Sequence, residues 1–412
     1  MNLYLINNSD SAIVYGIGSY LKGLSNALKG AGIKVHILYL HSIRKKFEIE
    51  KFENIENWYI PDVRYENSSM SNPQKIDTYC RNVLYLLRLY IKEDERELVF
   101  HFNNNYCKQL AKDLKLTFNC RTVVAIHYST WMLELQGNMQ RLHKIKSKPE
   151  NERNSFELRI YESYEYEKAL FNEADHVIAL SQHMQRILET EYQLSSDKIS
   201  VIPNGLADSS ATHFSGKHEL RKKWQISCNE FIVLFVGRLH SVKGLTFLIS
   251  AFRKLLGIFP DCRLIIVGNG NYDIYLQESK DICMKMNFTG QLGKKELFEL
   301  YQISDIGVMP SFHEQCSYVA IEMMMHALPI ISSTSTGLKE MIEDGVSGLH
   351  VPVIEYEDKT EVDSDLLAEK MLYLLQNSKE RQRIGQNARK RYEVHYSMEL
   401  FRKNMLNFYQ SL

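Results

Sequence analysis

The chain has 412 residues, 44% hydrophobic and 24% charged, with 50 Lys plus Arg against 50 Asp plus Glu. That is more than one core of ordinary size holds, so two domains are expected, and a formal net charge of zero leaves no overall basic field to draw in nucleic acid. The seven cysteines (Cys80, Cys107, Cys120, Cys228, Cys262, Cys283, Cys316) include no C-x-x-C pair, which argues against a zinc site or a disulfide framework and for a reducing, cytoplasmic compartment.

From the N terminus, MNLYLINNSD is apolar over only a few positions and lacks a basic leader, so it reads as a first strand rather than a signal peptide. Further strands are predicted at Lys34 to Tyr39, Leu98 to Phe102, Thr122 to Ile126 and His176 to Ala179, with helical spacing over Gly18 to Gly30 and Ile76 to Ile91. The polar stretch Gly137 to Asn154 reads as a loop, and the insert Trp131 to Asn154 as either an acceptor-side lid or a surface excursion. Beyond it, Phe231 to Val236, Arg263 to Val267, Ile306 to Met309 and Pro329 to Ser332 are strand-like, with helices at Leu245 to Leu256, Lys294 to Tyr301 and Tyr318 to His326.

Short apolar runs alternating with helices give an α/β class with two mostly parallel sheets. The join is placed at Ile202-Pro203-Asn204-Gly205, giving domains 1–204 and 205–394, with the C-terminal helix 395–412 returning to the first. Ligands of such sheets lie beyond the carboxyl ends of the strands, so a site between two facing domains is expected. No stretch reaches the roughly 20 apolar residues of a membrane helix. Basic runs at Arg44 to Lys46 and Arg141 to Lys148 leave room for peripheral contact with the inner face of a membrane, solvated faces being the plainer reading.

Two segments carry most of the chemistry. Gly237-Arg238-Leu239-His240-Ser241-Val242-Lys243-Gly244 follows a strand and precedes a helix, so two fixed cations stand beside glycines where a diphosphate would be held. Pro310 to Glu322 follows another strand. In it Glu314 sits in a loop where it can accept hydrogen bonds from sugar hydroxyls, and Glu322, two helical turns on, suits a ribose diol. The N–H groups of Ser317, Tyr318 and Val319 begin the intervening helix, where a phosphate or sugar would be favoured. In the first half, Gly16 and Gly18 open a helix after the first strand and let backbone approach a phosphate. His127 ends its strand. A lone histidine is commonly structural, and Glu314 has the plain alternative of an exposed loop acid.

The runs GRLHSVKG, VGNG, FTGQLGKKELFELY, SDIGVMPSFHEQCSYVAIEMM and GLKEMIEDGVSGLHVP resemble glycosyltransferase family 4 in kind and order, closely over 201–352. ALFNEADHVIALS and VIPNG extend the likeness more loosely into the first half. The resemblance implies a GT-B fold of two Rossmann-like domains, a retaining mechanism and no required metal or cofactor, the nucleotide diphosphate sugar being a co-substrate. It implies Arg238 and Lys243 on the donor diphosphate, Glu314 and His127 at the donor sugar, Glu322 on the ribose, Gly237 and Gly268 in the donor loops, and Leu292 beside the nucleobase. UDP-glucose or UDP-N-acetylglucosamine is the donor implied, and a glycan or lipid-linked acceptor the general expectation. The opening NLYLINNSDSAIVYGIGSYL is similar to a bacterial subset associated with radical-SAM peptide maturation, which implies a peptide acceptor. Two departures stand out: Glu314-Gln315-Cys316-Ser317 replaces the usual Glu-Gly-Phe-Gly, and Tyr15 replaces a glycine. The first leaves donor-sugar choice open and the second the acceptor-side geometry. A sugar-nucleotide epimerase, a catalytically silent sugar-nucleotide-binding protein and a glycoside hydrolase using Glu314 and Glu322 are the competing readings.

Overall fold

The computed structural model describes residues 1–8, 16–52, 55–62, 72–92, 96–103, 107–210 and 216–412. The chain forms two compact units, and it passes between them four times. Unit one comprises 1–130, 153–204 and 401–412, and unit two 131–152 and 205–400. One passage falls at the Asn204-Gly205 turn, where the sequence placed the domain join. The segment 131–152 groups with the second unit rather than the first, and the C-terminal return begins at Phe401 rather than at 395.

The first unit carries an eight-stranded sheet. In spatial order its strands are Glu48–Phe52, Ile55–Pro61, Lys34–Ser42, Asn2–Asn7, Leu98–Phe102, Cys120–Ile126, His176–Ala179 and Ile199–Val201. All neighbours run parallel except the outermost pair, Glu48–Phe52 with Ile55–Pro61, a hairpin that the sequence pattern did not expose. The inner strands Asn2–Asn7 and Leu98–Phe102 are buried along their whole length, as continuous apolar runs covered on both faces should be. The helix read from Gly18 to Gly30 spans Gly16–Ala27, and that read from Ile76 to Ile91 spans Asn72–Tyr90. The closing helix Met398–Gln410 buries Phe401, Met405, Phe408 and Tyr409.

The second unit has six parallel strands ordered Met286–Gly290, Cys262–Val267, Phe231–Val236, Ile306–Met309, Ile330–Ser333 and Gly348–Val351. Counted along the chain this is 3-2-1-4-5-6, and the direction of winding reverses between Phe231–Val236 and Ile306–Met309. A doubly wound sheet has its ligand crevice at that switch point, beyond the carboxyl ends of the two strands. The core beneath is a single apolar cluster of sheet residues with Leu248, Phe252 and Leu255 of helix Leu245–Ile258 and Leu367, Met371 and Leu374 of helix Ser364–Gln376.

Gly137 to Asn154, read as a loop, is instead largely helical. Helix Met139–Ser147 is capped by the Asn138 side chain, which accepts from the Arg141 N–H, and it buries Leu142 and Ile145. Its polarity comes from the outer face; the inner apolar residues lie three apart, a spacing that falls on one side of a helix. No helix among the described residues is long and apolar enough to cross a membrane.

Candidate active site

In the second unit two loops meet at the switch point, and glycines let them meet closely. Strand Phe231–Val236 leads into Gly237 and Arg238, then a short turn over Ser241–Lys243, and Gly244 in the left-handed region (φ 67°) before helix Leu245–Ile258. A Cβ at Gly244 would lie 2.1 Å from the Pro310 carbonyl oxygen, and one at Gly268 (φ 149°) 1.8 Å from that of Gly237. No side chain fits either position. The Phe312 N–H donates to the Val242 carbonyl at 2.8 Å, so the loop after Ile306–Met309 is bonded by backbone to the loop after Phe231–Val236.

This packing brings Lys243 and Glu314 together, 71 residues apart in sequence. The Lys243 ammonium forms an ion pair with Glu314 Oε1, the two side chains being 17% and 13% exposed. Ser311 Oγ donates to the same carboxylate oxygen at 3.2 Å. The Glu314 peptide is clamped as well. Its N–H donates to Thr336 Oγ1 at 2.9 Å, the Thr336 hydroxyl donates to the Glu314 carbonyl, and the Gly337 N–H donates to that carbonyl at 2.8 Å. Thr336 pays for this with a positive φ of 22°, uncommon for a residue with a side chain. Sequence reasoning missed Thr336 and Ser311; the signal was a Thr-Gly pair just past a strand's carboxyl end.

Arg238 lies in the same loop with its side chain exposed to solvent. Ser317 caps helix Tyr318–Met325 by accepting from the Ala320 N–H, and Tyr318 and Val319 are half-buried in the first turn. Glu322, on that helix, accepts from the Tyr301 hydroxyl at 2.9 Å; burial holds its carboxyl above the usual range, and this hydrogen bond partly offsets the effect. Leu292 is half-buried in the turn after Met286–Gly290, where Gly290 adopts φ 76° and the Tyr272 hydroxyl donates to the Gly268 carbonyl at 2.6 Å. The unit therefore gathers Gly237, Lys243, Gly244, Gly268 and Glu314 beyond the ends of three neighbouring strands, Cys262–Val267, Phe231–Val236 and Ile306–Met309.

In the first unit the equivalent switch point lies between Asn2–Asn7 and Leu98–Phe102. Gly16 opens the following helix and is exposed, while Gly18 is buried; Tyr15 lies outside the described residues. His127 follows Cys120–Ile126, and its Nε2 is 3.1 Å from Asn103 Oδ1. Asn103 Nδ2 donates to the His101 carbonyl at 3.4 Å, which turns its oxygen toward His127 and makes that Nε2 the protonated nitrogen. Tyr20 meets the His127 ring edge-on at 4.5 Å. Burial lowers the His127 pKa to about 4, so the ring is neutral near pH 7. Behind it His101, fully buried, is bonded through Nδ1 to the Tyr409 hydroxyl at 2.6 Å. Among the described residues no group of three or more His, Cys, Asp or Glu is placed to hold a metal ion.

Comparison with known proteins follows the same division. A model described as Glycosyltransferase Family 4 matches residues 14–209, and one described as Glycosyl transferases group 1 matches 216–391. An uncharacterised glycosyltransferase of Methanocaldococcus jannaschii is 30% identical over 188 residues, 43% of this chain and 47% of that protein. The chain thus spans about half the length of the curated relatives it matches. Sucrose-phosphate synthase from Thermosynechococcus elongatus superposes with a TM-score of 0.76 at 20% identity, covering 100% of this chain and 98% of that one. HepE of Anabaena, solved with UDP-glucose, gives 0.72 at 17% identity and 100% of both. At these identities the likeness is one of fold, and the fold is of the GT-B class.

Proposed function

We propose that this chain, whose two halves match glycosyltransferase family models, is a family 4 enzyme that transfers a hexose or N-acetylhexosamine, with retention and without a required metal, from a UDP-sugar to a hydroxyl of a glycan, lipid-linked or peptide acceptor. The observation that carries the donor assignment is the Lys243–Glu314 pair, held at the switch point by two glycine-packed loops. HepE was solved with UDP-glucose, which supports the choice of base and sugar.

The pair gives the donor a way to arm its own site. A diphosphate brings negative charge to Lys243 and competes with Glu314 for it; the displaced carboxylate becomes an acceptor for the sugar's hydroxyls, its peptide still clamped by Thr336. Arg238 and Lys243 stabilise the charge that grows on the diphosphate as its bond to the anomeric carbon breaks. The acceptor oxygen bonds to that carbon from the same face, and its proton passes to a departing diphosphate oxygen. The chain's contribution is charge and positioning rather than a covalent intermediate. Glu322 takes the ribose hydroxyls and the turn at Leu292 the base. The role given to His127, orienting the sugar, rests on the family resemblance together with its neutral ring.

Nucleoside diphosphate release from UDP-glucose, UDP-N-acetylglucosamine, GDP-mannose and ADP-glucose, measured with excess chelator, tests the proposal. Release is expected from a UDP-sugar, with the transferred sugar keeping its anomeric configuration. Inverted product, or no turnover of any donor, would contradict it.

A further inference from the structure

The insert Trp131 to Asn154 was expected as an acceptor-side lid or a surface excursion, yet its residues 131–152 group with the second unit. From the geometry we infer that this segment is a strap that positions Glu314 against the donor sugar, and that Gly137 and Asn138 are positioning residues for donor-sugar recognition. The inference rests on the donor-site reading above.

The strap is anchored at three levels. Trp131, Met132, Leu135, Leu142 and Ile145 are buried, with Trp131, Leu135 and Leu142 entirely so. Asn138, also fully buried, uses both ends of its amide: Oδ1 accepts from the Arg141 N–H at 3.0 Å to start helix Met139–Ser147, and Nδ2 donates to the Tyr356 carbonyl at 2.9 Å. Tyr356 belongs to the turn joining strands Val353–Glu355 and Thr360–Val362. The Glu355 carboxylate in turn accepts from the Met139 and Gln140 N–H groups at the helix start, and Lys144 pairs with Glu357 at 2.8 Å.

What the anchored strap touches is the machinery that holds Glu314. Gln136 and Gly137 adopt φ 56° and 74°, and their turn puts the Gly137 backbone against the Glu314 loop. A Cβ at residue 137 would lie 3.1 Å from the Phe312 carbonyl oxygen, 3.7 Å from the Thr336 methyl and 3.8 Å from His313 Cβ. Thr336 is the residue whose hydroxyl clamps the Glu314 peptide, and Phe312 and His313 lead directly into it. On the far side of Glu314, Gln315 Nε2 donates to Met132 Sδ at 3.6 Å. The strap thus contacts the residues on either side of Glu314 and the residue bonded to it, but neither Gly137 nor Asn138 carries a charge for the diphosphate. Such a brace sets where a carboxylate points without supplying the binding energy of the phosphates.

This separation is the test. UDP and UDP-glucose affinities would be titrated by calorimetry for the wild-type chain, Glu314→Ala, Asn138→Ala and Gly137→Ala, the last adding only a methyl group against Phe312 and Thr336. The advantage of UDP-glucose over UDP is expected to fall by about tenfold in both strap variants, approaching that of Glu314→Ala, while UDP binding stays within about twofold. Hydrogen exchange in 312–317 and 336–338 is expected to quicken in Asn138→Ala even without nucleotide. A strap variant that keeps the wild-type affinity ratio overturns the inference while leaving the donor site intact. UDP and UDP-glucose affinities falling in parallel overturn it too, by showing general damage. A wild-type chain that binds neither nucleotide overturns the donor-site reading itself.

Discussion

At the switch point of the second unit stand Lys243 and Glu314, an ion pair wedged between glycine-packed loops; at that of the first stand neutral rings and amides, His127 with Asn103, His101 and Tyr20. Two sheets that both reverse their winding direction carry a charged pair at one switch point and neutral groups at the other. A charged, pre-paired end suits an anionic ligand that must displace one partner to bind, whereas a neutral end can direct hydroxyl groups without attracting charge of its own. The contrast teaches that the doubly wound sheet fixes only where a site lies, and that the loop residues decide what it holds.

The sharpest way to break the contrast is to remove the negative partner. Glu314→Gln keeps the shape of the side chain but leaves Lys243 unopposed, so UDP affinity is expected to rise about fivefold while turnover of the UDP-sugar falls about 100-fold. A UDP affinity that drops alongside turnover would show that the pair is structural. Gly268→Ala attacks the packing instead. Its Cβ would meet the Gly237 carbonyl oxygen, so the second unit is expected to lose about 2 kcal/mol or more, seen as an earlier unfolding transition. Gly30→Ala is the control, for its φ is also positive (78°) but nothing lies within 4 Å; it should cost only about 1 kcal/mol.

The neutral end is tested by pH. Burial, aided by neighbouring His127, lowers the His101 pKa to about 3 from an ordinary value near 6.5. The depressed folded value means that the unfolded chain takes up the proton first. Stability is therefore full above about pH 6.5 and declines as pH falls toward about 3, by at most about 1.4 kcal/mol per pH unit from this ring. A thermal-unfolding series from pH 7 to 5 should show that decline in the wild-type chain and a shallower one in His101→Gln.

Much of this arrangement was legible in the residues. Continuous apolar runs such as Phe231 to Val236 announced buried parallel strands, and glycines and turns beside strand ends marked the loops in which Arg238, Lys243 and Glu314 stand. The brace was not legible. Asn138 reads as an ordinary polar residue until the hairpin 353–362 is seen to receive its amide, and that contact spans 218 residues. Thr336 was hidden for a similar reason, its hydroxyl reaching a peptide 22 residues earlier. The hairpin Glu48–Phe52 with Ile55–Pro61 escaped because Glu48, Glu50 and Lys51 fill an outermost strand where an apolar alternation would otherwise appear.

The most direct measurement is a calorimetric titration of the purified chain with UDP, GDP and ADP in excess chelator, repeated for the best ligand with Arg238→Ala. Binding of UDP that persists in chelator and weakens about 100-fold or more in the variant is expected, in line with the loss of a charged contact to the diphosphate. Failure of all three nucleotides to bind, or an Arg238→Ala chain that binds UDP as tightly as the wild type, would contradict the placement of the donor at this switch point.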